Sequence, residues 1–389
     1  MNELYHLFLR TERERNLYER ARRLADQFYK RARWYDEHAE FPFENFNDLK
    51  EARFLSLTVP KSYGGEEISL YEFLLIQETI AQGDGATALS LGWHLGILLN
   101  LAETKKWPLP IFERICREVV EKQVLLNSAH SEKATGSPAR GGKPETTAER
   151  RNGRWVISGR KTFASLAPAL DYFIVSAIIK ETGEVGNFLI PKTAAGLKIE
   201  KTWDTLGMRA TRSDDVILEN VEVEEEALVE MLSSPKAKGH AQGWLLHIPA
   251  CYLGIAIAAR NEAIAFAKTY QPNSLSHPIA EVPEVRRKIA QMDIHLMSAR
   301  HFMYSIADQW DRYPEKRTEM KEELATVKYI ATNAAVDVVD LAMRIVGGQS
   351  LFAENPLQRY YRDVRAGLHN PPSDDITVSI VADRALNSK

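Results

Sequence analysis

Between Val285 and Trp310 the apolar residues Val285, Ile289, Met292, Leu296, Ala299, Met303, Ile306 and Trp310 follow one another at alternating steps of four and three. That rhythm draws one stripe along an α-helix, and over such a length neither a strand nor a loop reproduces it. The stripe resumes at Leu324, Val327, Ala331, Ala334, Val338, Leu341 and Ile345, after the polar connector DRYPEKRTE. Two long helices joined by a short loop pack antiparallel. The preceding stretch, GWLLHIPACYLGIAIAARNEAIAFAKTY, is apolar almost all round, which predicts the buried helix of a four-helix bundle.

Upstream the texture differs. From about residue 124 to 230 the period is two: RWVIS, DYFIVSAII, NFLIP and DDVILENVEV are short β-rich runs separated by Gly, Asn, Asp and Pro turns. In the last run Val216, Leu218, Val221 and Val223 share a face that breaks near Glu219-Asn220. Many short strands without intervening helices predict a small antiparallel barrel or sandwich instead of βαβ units. Before residue 122 the pattern is helical, clearest at 71–82 and 110–122, and the N-terminal stretch reads as a long solvated helix with opposite charges a turn apart. The expected fold is α+β, mostly α: an N-terminal helical domain (1–122), a middle β-barrel domain (123–232) and a C-terminal four-helix bundle (233–389).

Lys+Arg 50 against Asp+Glu 53 leaves a charge of −3, which gives no strong field for nucleic acid or an anionic membrane. Cys116 and Cys251 stand far apart, so neither a disulfide scaffold nor a cysteine zinc site is expected, and a reducing, cytoplasmic setting is. No apolar run comes near the roughly 18–20 residues that cross a bilayer. The N-terminus carries Glu3, Glu12, Glu14 and Glu19 among its arginines, unlike a signal or transit peptide. There is no Gly-rich dinucleotide fingerprint, no phosphate-binding P-loop and no HExxH.

Four stretches invite chemistry. LLNSAHSEKATGSPARGG (125–142) holds Ser128, Ser131 and Ser137 with Gly136 where helix gives way to strand; it is an ordinary loop or a set of N–H and O–H donors. GRKTFASLA (159–167) puts Phe163 beside Ser165 at a strand end, which suits a flat cofactor ring and equally a barrel rim. TWDTLGMRATRSDD (202–215) mixes Trp203, Leu206 and Met208 with polar residues, as a packed loop does. RIVGGQSLFAENPLQRYYRDVRAGLHNPPSDD (344–375) stops the seam helix at Gly347-Gly348, where freed N–H groups can meet phosphate, and gathers His369, Asp374 and Asp375 near its end.

Taken in order, these stretches resemble the acyl-CoA dehydrogenase superfamily over nearly the whole chain. SEKATGS is similar to its Thr-Glu-Pro-Gly-Ala-Gly-Ser-Asp motif, with Pro138 in place of the Asp; GRKTFAS is similar to Gly-Thr-Lys-Trp-Ile-Thr, with Phe163 for Trp and Ser165 for Thr. WDTLGMRATRSDDVILENVEV resembles the Leu-Gly-x-Arg-x-Ser segment, and YYRDVRAG the Arg-Asp stretch before the catalytic loop. The resemblance implies FAD, or FMN, between barrel and bundle. Ser128, His130 and Ser131 would face the pyrimidine edge, and Phe163 and Ser165 would cover the ring near N5. Gly347 and Gly348 would reach the pyrophosphate of a cofactor shared with a neighbouring subunit, in a homotetramer built as a dimer of dimers. Ser137 and His94 would touch substrate, an acyl-CoA or other small molecule, and electrons would pass to an electron-transfer flavoprotein or come from a flavin reductase.

Three departures accompany it. The Arg-x-Gln-Phe-Gly segment that helps hold the FAD adenylate is absent, TYQPNSLSHPIAEVP standing there, and the Gln before the Gly-Gly pair is unmatched, with Arg344 nearby. The base is missing as well. Desaturation needs a carboxylate to take an α-proton while hydride leaves to the flavin. Counted from Arg362-Asp363, the family's loop Glu falls at Pro371, and its alternative place on the buried helix, near Trp244 to His247, holds no acid. His369, Asp374 and Asp375 are the remaining candidates, although the two Asp residues equally suit a cap on the last helix. RDVRAGLHNPP also resembles the two-component flavin monooxygenases, in which a His after the Arg-Asp stretch serves oxygen chemistry. Desaturation of an acyl thioester is the first expectation, oxygenation the second, and a binding protein with a decayed catalytic loop the third.

Overall fold

The computed structural model describes residues 6–135, 142–232 and 241–387. Five helices come first: α1 (Glu12–His38), α2 (Phe43–Glu51), α3 (Leu70–Ala81), α4 (Gly85–Thr104) and α5 (Leu109–Lys122). Their starts are written locally. Thr11 with Glu14, and Ser69 with Glu72, form reciprocal capping boxes on α1 and α3, and Asp84 accepts from the Thr87 N–H at the head of α4.

The middle unit contains β1 (Leu126–Ala129), β2 (Thr147–Arg151), β3 (Arg154–Ala164), β4 (Tyr172–Ile179), β5 (Val185–Pro191), β6 (Leu197–Glu200), β7 (Asp214–Val223) and β8 (Leu228–Met231). They form one sheet in the order β6-β7-β3-β2-β4-β5-β8, with β1 also on β4. Where the sequence suggests a barrel or sandwich, the described strands make an open sheet whose ends are β6 and β8. Two of its pairings, β1 with β4 and β2 with β4, are parallel. The break at Glu219-Asn220 is real: the β3–β7 register slips between Ile157 and Gly159, and Asn220 takes a positive φ of 51°.

The chain returns to helix in α6 (His247–Thr269), α7 (Pro283–Arg312), α8 (Lys321–Val346), α9 (Pro356–Gly367) and α10 (Asp374–Asn387). The seams bury as their spacing predicts, with Met292, Leu296, Met303, Ala331 and Val338 inside. The bundle is not separate from the first unit. α6 packs on α3 and α4 as well as on α8, and so closely that a Cβ on Gly254 would overlap the Glu78 carbonyl. α7 is tied to α3 by a fully buried bidentate pair, Arg300 Nε to Glu78 Oε1 at 2.8 Å and Nη2 to Oε2 at 2.9 Å, and Tyr304 donates to the same carboxylate at 3.1 Å. Contrary to the reading of the apolar runs, two stretches, Gly85–Thr104 and Gly243–Thr269, are long and apolar enough to cross a bilayer. In each, 83% of the most apolar window is buried inside this fold, which makes them the core helices of the first and last units.

Candidate functional site

Three of the four chemistry-bearing stretches are sewn together at the rim of the sheet. Thr162 N–H donates to the Ser131 carbonyl at 2.8 Å, joining the first stretch to the second. Asn127 Nδ2 donates to the Ser165 carbonyl at 3.0 Å and tightens the same seam. The Ser165 hydroxyl shares a 2.8 Å hydrogen bond with Ser213, which shares another at 2.9 Å with Thr211, so the third stretch is fastened to the second. Asp214 holds the amides of Thr202 and Trp203, both at 3.0 Å, and fixes the bend that carries Trp203.

Phe163 sits at the centre of this stitching. Trp155, Ile157 and Lys161 occupy alternate places on β3 and are buried, and the same alternation would turn Phe163 inward. Instead the backbone at Phe163 enters the left-handed region, φ 56°, and the ring is 65% exposed, held edge-on by Trp203 with centroids 5.6 Å apart. A bulky residue in that region is an outlier, and its persistence needs a reason outside folding.

Behind the rim lies a polar core. Lys161 Nζ reaches Glu132 Oε1 at 2.5 Å and Ser176 Oγ at 3.2 Å, and Glu132 also takes the Thr146 amide and hydroxyl. Burial lowers the Lys161 pKa against the pull of Glu132. Burial pushes Glu132 upward, but Lys161, Thr146 and the Glu145 amide outweigh it and hold it below the usual range. His130 is pushed down to about 4 by burial and by the Lys161 charge, partly offset by Asn187, so its imidazole is neutral. Its shielded Nε2 finds no partner among the described residues, a polar atom left for something else on this segment.

The third and fourth stretches meet at Asp363. Its Oδ1 accepts from the Met208 N–H at 2.6 Å, and Gly207 lies so close to Arg362 that a Cβ there would overlap the Arg362 carbonyl. Arg362 pairs with Asp36 of α1 and donates to the Leu206 carbonyl at 2.9 Å. Burial first, and the Asp36 charge second, raise Asp363 to about 7, against the Met208 amide and Arg359. The Arg-Asp stretch therefore positions the 202–215 loop of the sheet unit.

The loop after α9 is anchored from below. Tyr252 of α6 donates to Asn370 Oδ1 at 2.6 Å, and buried Lys328 of α8 reaches Asp374 at 3.2 Å and the Leu368 carbonyl at 3.5 Å. Asn333 donates to the other Asp374 oxygen at 3.0 Å, and Ser373 donates to Asp375. Both carboxylates, the sequence's candidate bases, are thus engaged at the head of α10. His369 is exposed, two residues past the end of α9. His94 is a core residue: Nε2 meets the Leu55 carbonyl at 2.9 Å, Nδ1 accepts from the Leu126 amide at 3.3 Å, and burial lowers it to about 4. Both of its ring nitrogens are spent on backbone, which leaves none for a substrate. Gly347, with φ 69° and ψ −148°, and Gly348 are exposed, and nothing lies within 4 Å of a Cβ built on either. The contacts that join the other stretches do not reach them. Ser137 lies outside the described residues.

This donor set fits a flavin. Phe163 offers an exposed flat ring, Ser165 a hydroxyl beside it, His130 an orphaned ring nitrogen, and the Gly347-Gly348 turn an uncovered backbone. Lys161, Tyr252 and Lys328 were not singled out from the sequence, and Asp363 entered only as part of the Arg-Asp stretch, with no role of its own. Lys161 carried a signal there, the in-phase position on β3; Tyr252 and Lys328 are joined to the site by contacts between distant elements.

Comparison with known proteins matches the whole length of this fold. Family models described as the N-terminal, middle and C-terminal domains of acyl-CoA dehydrogenase match residues 11–104, 127–221 and 246–386. The chain is 47% identical to YdbM of Bacillus subtilis (strain 168), an acyl-CoA dehydrogenase by name, over 98% of this chain and all of that one. It is 29% identical to the 3-(aryl)acrylate reductase of Clostridium sporogenes (90% and 92% covered) and 27% identical to SfnC of Pseudomonas putida, an FMNH2-dependent monooxygenase by name (95% and 94%). Among solved structures, butyryl-CoA dehydrogenase from Megasphaera elsdenii superimposes with a TM-score of 0.86 at 19% identity, covering 97% of this chain and 99% of that one. TdsC from Paenibacillus sp. A11-2, solved with FMN and indole, gives 0.85 at 23%, covering 96% and 98%; both are likenesses of fold. Helical unit, sheet and bundle in this order, with matches to all three domains and a relative this similar along its whole length, mean that the chain belongs to the acyl-CoA dehydrogenase family.

Proposed function

We propose that this protein is a flavin-dependent monooxygenase that seats reduced flavin against Phe163 and draws it from a separate reductase. One oxygen atom of O2 passes to a small-molecule substrate, and the other leaves as water with the two electrons of the reduced flavin. One observation carries the reading: the carboxylates in reach of the catalytic loop are engaged. Asp374 is held by Lys328 and Asn333, and Asp375 by Ser373. The family's usual Glu position is Pro371, and its alternative place holds no acid, with Trp244 in the turn before α6 and His247 at its first position. Proton abstraction next to a thioester without a positioned base forfeits a factor of about 10²–10⁴. His369, exposed on the same loop, is the group that can deliver or take a proton there. The monooxygenase name of SfnC supports the reading.

α,β-Dehydrogenation of an acyl-CoA, with hydride to FAD and an electron-transfer flavoprotein as acceptor, is the second reading. The name of YdbM, the relative at 47% identity, favours it. In either case we place the protein in the cytoplasm, which the two buried free cysteines support. We also assign it a homotetrameric assembly, supported by the uncovered Leu351 (73% exposed) and Phe352 (59%) next to Gly347-Gly348.

The test begins with flavin-loaded protein and a panel of acyl-CoAs without oxygen. Bleaching of the oxidised flavin band would replace the oxygenase reading with dehydrogenation. If none bleaches it, O2 uptake and hydrogen peroxide release are measured after anaerobic reduction. The proposal requires that His369→Ala change the partition between peroxide release and slow reoxidation at unchanged flavin content; identical traces for both proteins overturn His369's part.

A further inference from the structure

The peptide of Met208 is clamped from both ends. Its N–H donates to Asp363 Oδ1 of α9 at 2.6 Å. Its carbonyl accepts from Trp203 Nε1 at 2.9 Å, from the Thr211 amide at 3.1 Å and from the Thr211 hydroxyl at 2.9 Å. Met208 itself is buried and holds a left-handed backbone, φ 53°. The bundle, through Asp363, thus fixes one carbonyl oxygen at the foot of the hydroxyl series Thr211, Ser213 and Ser165.

That oxygen gives the series a direction. A carbonyl accepts and never donates, so the single hydroxyl hydrogen of Thr211 is spent on Met208. Ser213, 2.9 Å from Thr211 Oγ1, must then give its own hydrogen to Thr211. Ser165, 2.8 Å from Ser213 Oγ, must in turn give its hydrogen to Ser213. With one hydrogen per hydroxyl, the count assigns every donor. Thr211 and Ser213 are buried, whereas Ser165 is half-buried beside the exposed Phe163 ring. What Ser165 keeps for the seat is lone pairs alone.

The two redox forms of an isoalloxazine answer that hydroxyl differently. The oxidised ring system carries a bare nitrogen, an acceptor, on the edge of its central ring, and two-electron reduction places a hydrogen on it. A hydroxyl that can only accept pairs with the N–H and repels the bare nitrogen, whereas a hydroxyl free to turn serves either form. We infer that Thr211 and Ser213 are positioning residues that lock Ser165 as an acceptor, so that the seat takes reduced flavin in preference to oxidised flavin. The inference rests on the flavin seat at Phe163 and Ser165 and deepens the reading in which flavin arrives already reduced.

The test needs no substrate. FMN and FAD, each oxidised and each photoreduced without oxygen, are titrated into the flavin-free full-length protein by calorimetry under nitrogen. The wild type holds the reduced form tighter by about tenfold or more, the value of one hydrogen bond gained. The potential of the bound two-electron couple rises accordingly by about 30 mV or more. Thr211→Val keeps the shape, frees Ser213 to donate to Ser165 and turns the Ser165 hydrogen toward the seat; Ser213→Ala frees that hydrogen directly. Each variant brings the ratio of affinities to about threefold or less, chiefly by tightening oxidised flavin, whereas a merely structural role would weaken both forms alike. The second variant covers the case in which the first fails to fold. Equal affinity for the two forms in the wild type, or a wild-type ratio that survives in a folded variant, overturns the relay. Phe163→Ala with unchanged affinity for both forms overturns the seat on which the relay rests.

Discussion

The left-handed backbone at Phe163 makes an unusual stability order testable. A phenylalanine side chain spans about 150–250 Å², and with roughly a third of it covered, truncation forfeits about 1.7 kcal/mol of burial at 25 cal/mol per Å². Loss of the edge-on contact with Trp203 adds about 1 kcal/mol. Phe163→Ala therefore costs about 2–3 kcal/mol, below the roughly 3–5 kcal/mol of a core phenylalanine, and keeps the positive φ that strains every residue but glycine. Phe163→Gly loses the same contacts and recovers about 1–2 kcal/mol of that strain, less about 0.5–1 kcal/mol for glycine's freedom in the unfolded chain. The glycine variant should be the more stable of the two by about 0.5–1 kcal/mol in urea titrations of flavin-free protein, reversing the usual order of alanine over glycine in a strand. Flavin affinity, read by quenching of flavin fluorescence, should fall tenfold or more in both, about 1.4 kcal/mol. Alanine more stable than glycine would mean that the backbone is not strained. Unchanged flavin affinity in both would mean that the ring is turned out for some other purpose.

Asp363, raised to about 7 in the fold against about 3.9 in the unfolded chain, binds its proton more tightly when folded, so its contribution falls as pH climbs from about 4 to 7, by up to about 4 kcal/mol. Asp363→Asn keeps an acceptor for the Met208 amide, and its stability between pH 4 and 7 should decline less steeply than that of the wild type; parallel curves would contradict the assignment. His94 works the other way: lowered to about 4, it contributes stability above pH 6.5 that disappears as pH falls toward 4, about 3 kcal/mol in all. Nitrogen NMR should show its ring neutral at pH 5, with the proton on Nε2 facing the Leu55 carbonyl; a cationic ring at that pH would refute the burial argument. Lys328→Met removes the buried cation under the loop after α9, and because Asp374 is about a third exposed the cost should be modest, about 1–2 kcal/mol. The same variant should be cut faster by protease near residue 370, and an unchanged cleavage rate would mean that the loop does not depend on this anchor.

What could be read in advance divides along a physical line. Period and capping are local, so the seam helices, the strands of the middle unit and the slip at Glu219-Asn220 are visible in the chain itself. The packing of α6 against both α4 and α8 is not, because an all-round apolar helix announces burial without saying among which neighbours. The site divides likewise. Ser131, Phe163, Ser165 and Asp363 each lie in stretches that stand out, but only the 2.8 Å link from Thr162 to Ser131 and the 2.6 Å link from Met208 to Asp363 make them parts of one rim. Phe163 is the sharper lesson: alternation along β3 counts it inward with Lys161, and the structure turns it out by departing from the very backbone geometry on which alternation depends. His247 shows the converse, a residue whose sequence context says core and whose two ring nitrogens find no partner among the described residues. In both cases a local rule fails at the point where folding alone gives no reason for the arrangement. At Phe163 a ligand supplies one, since a flat ring laid on it would cover the exposed phenyl face.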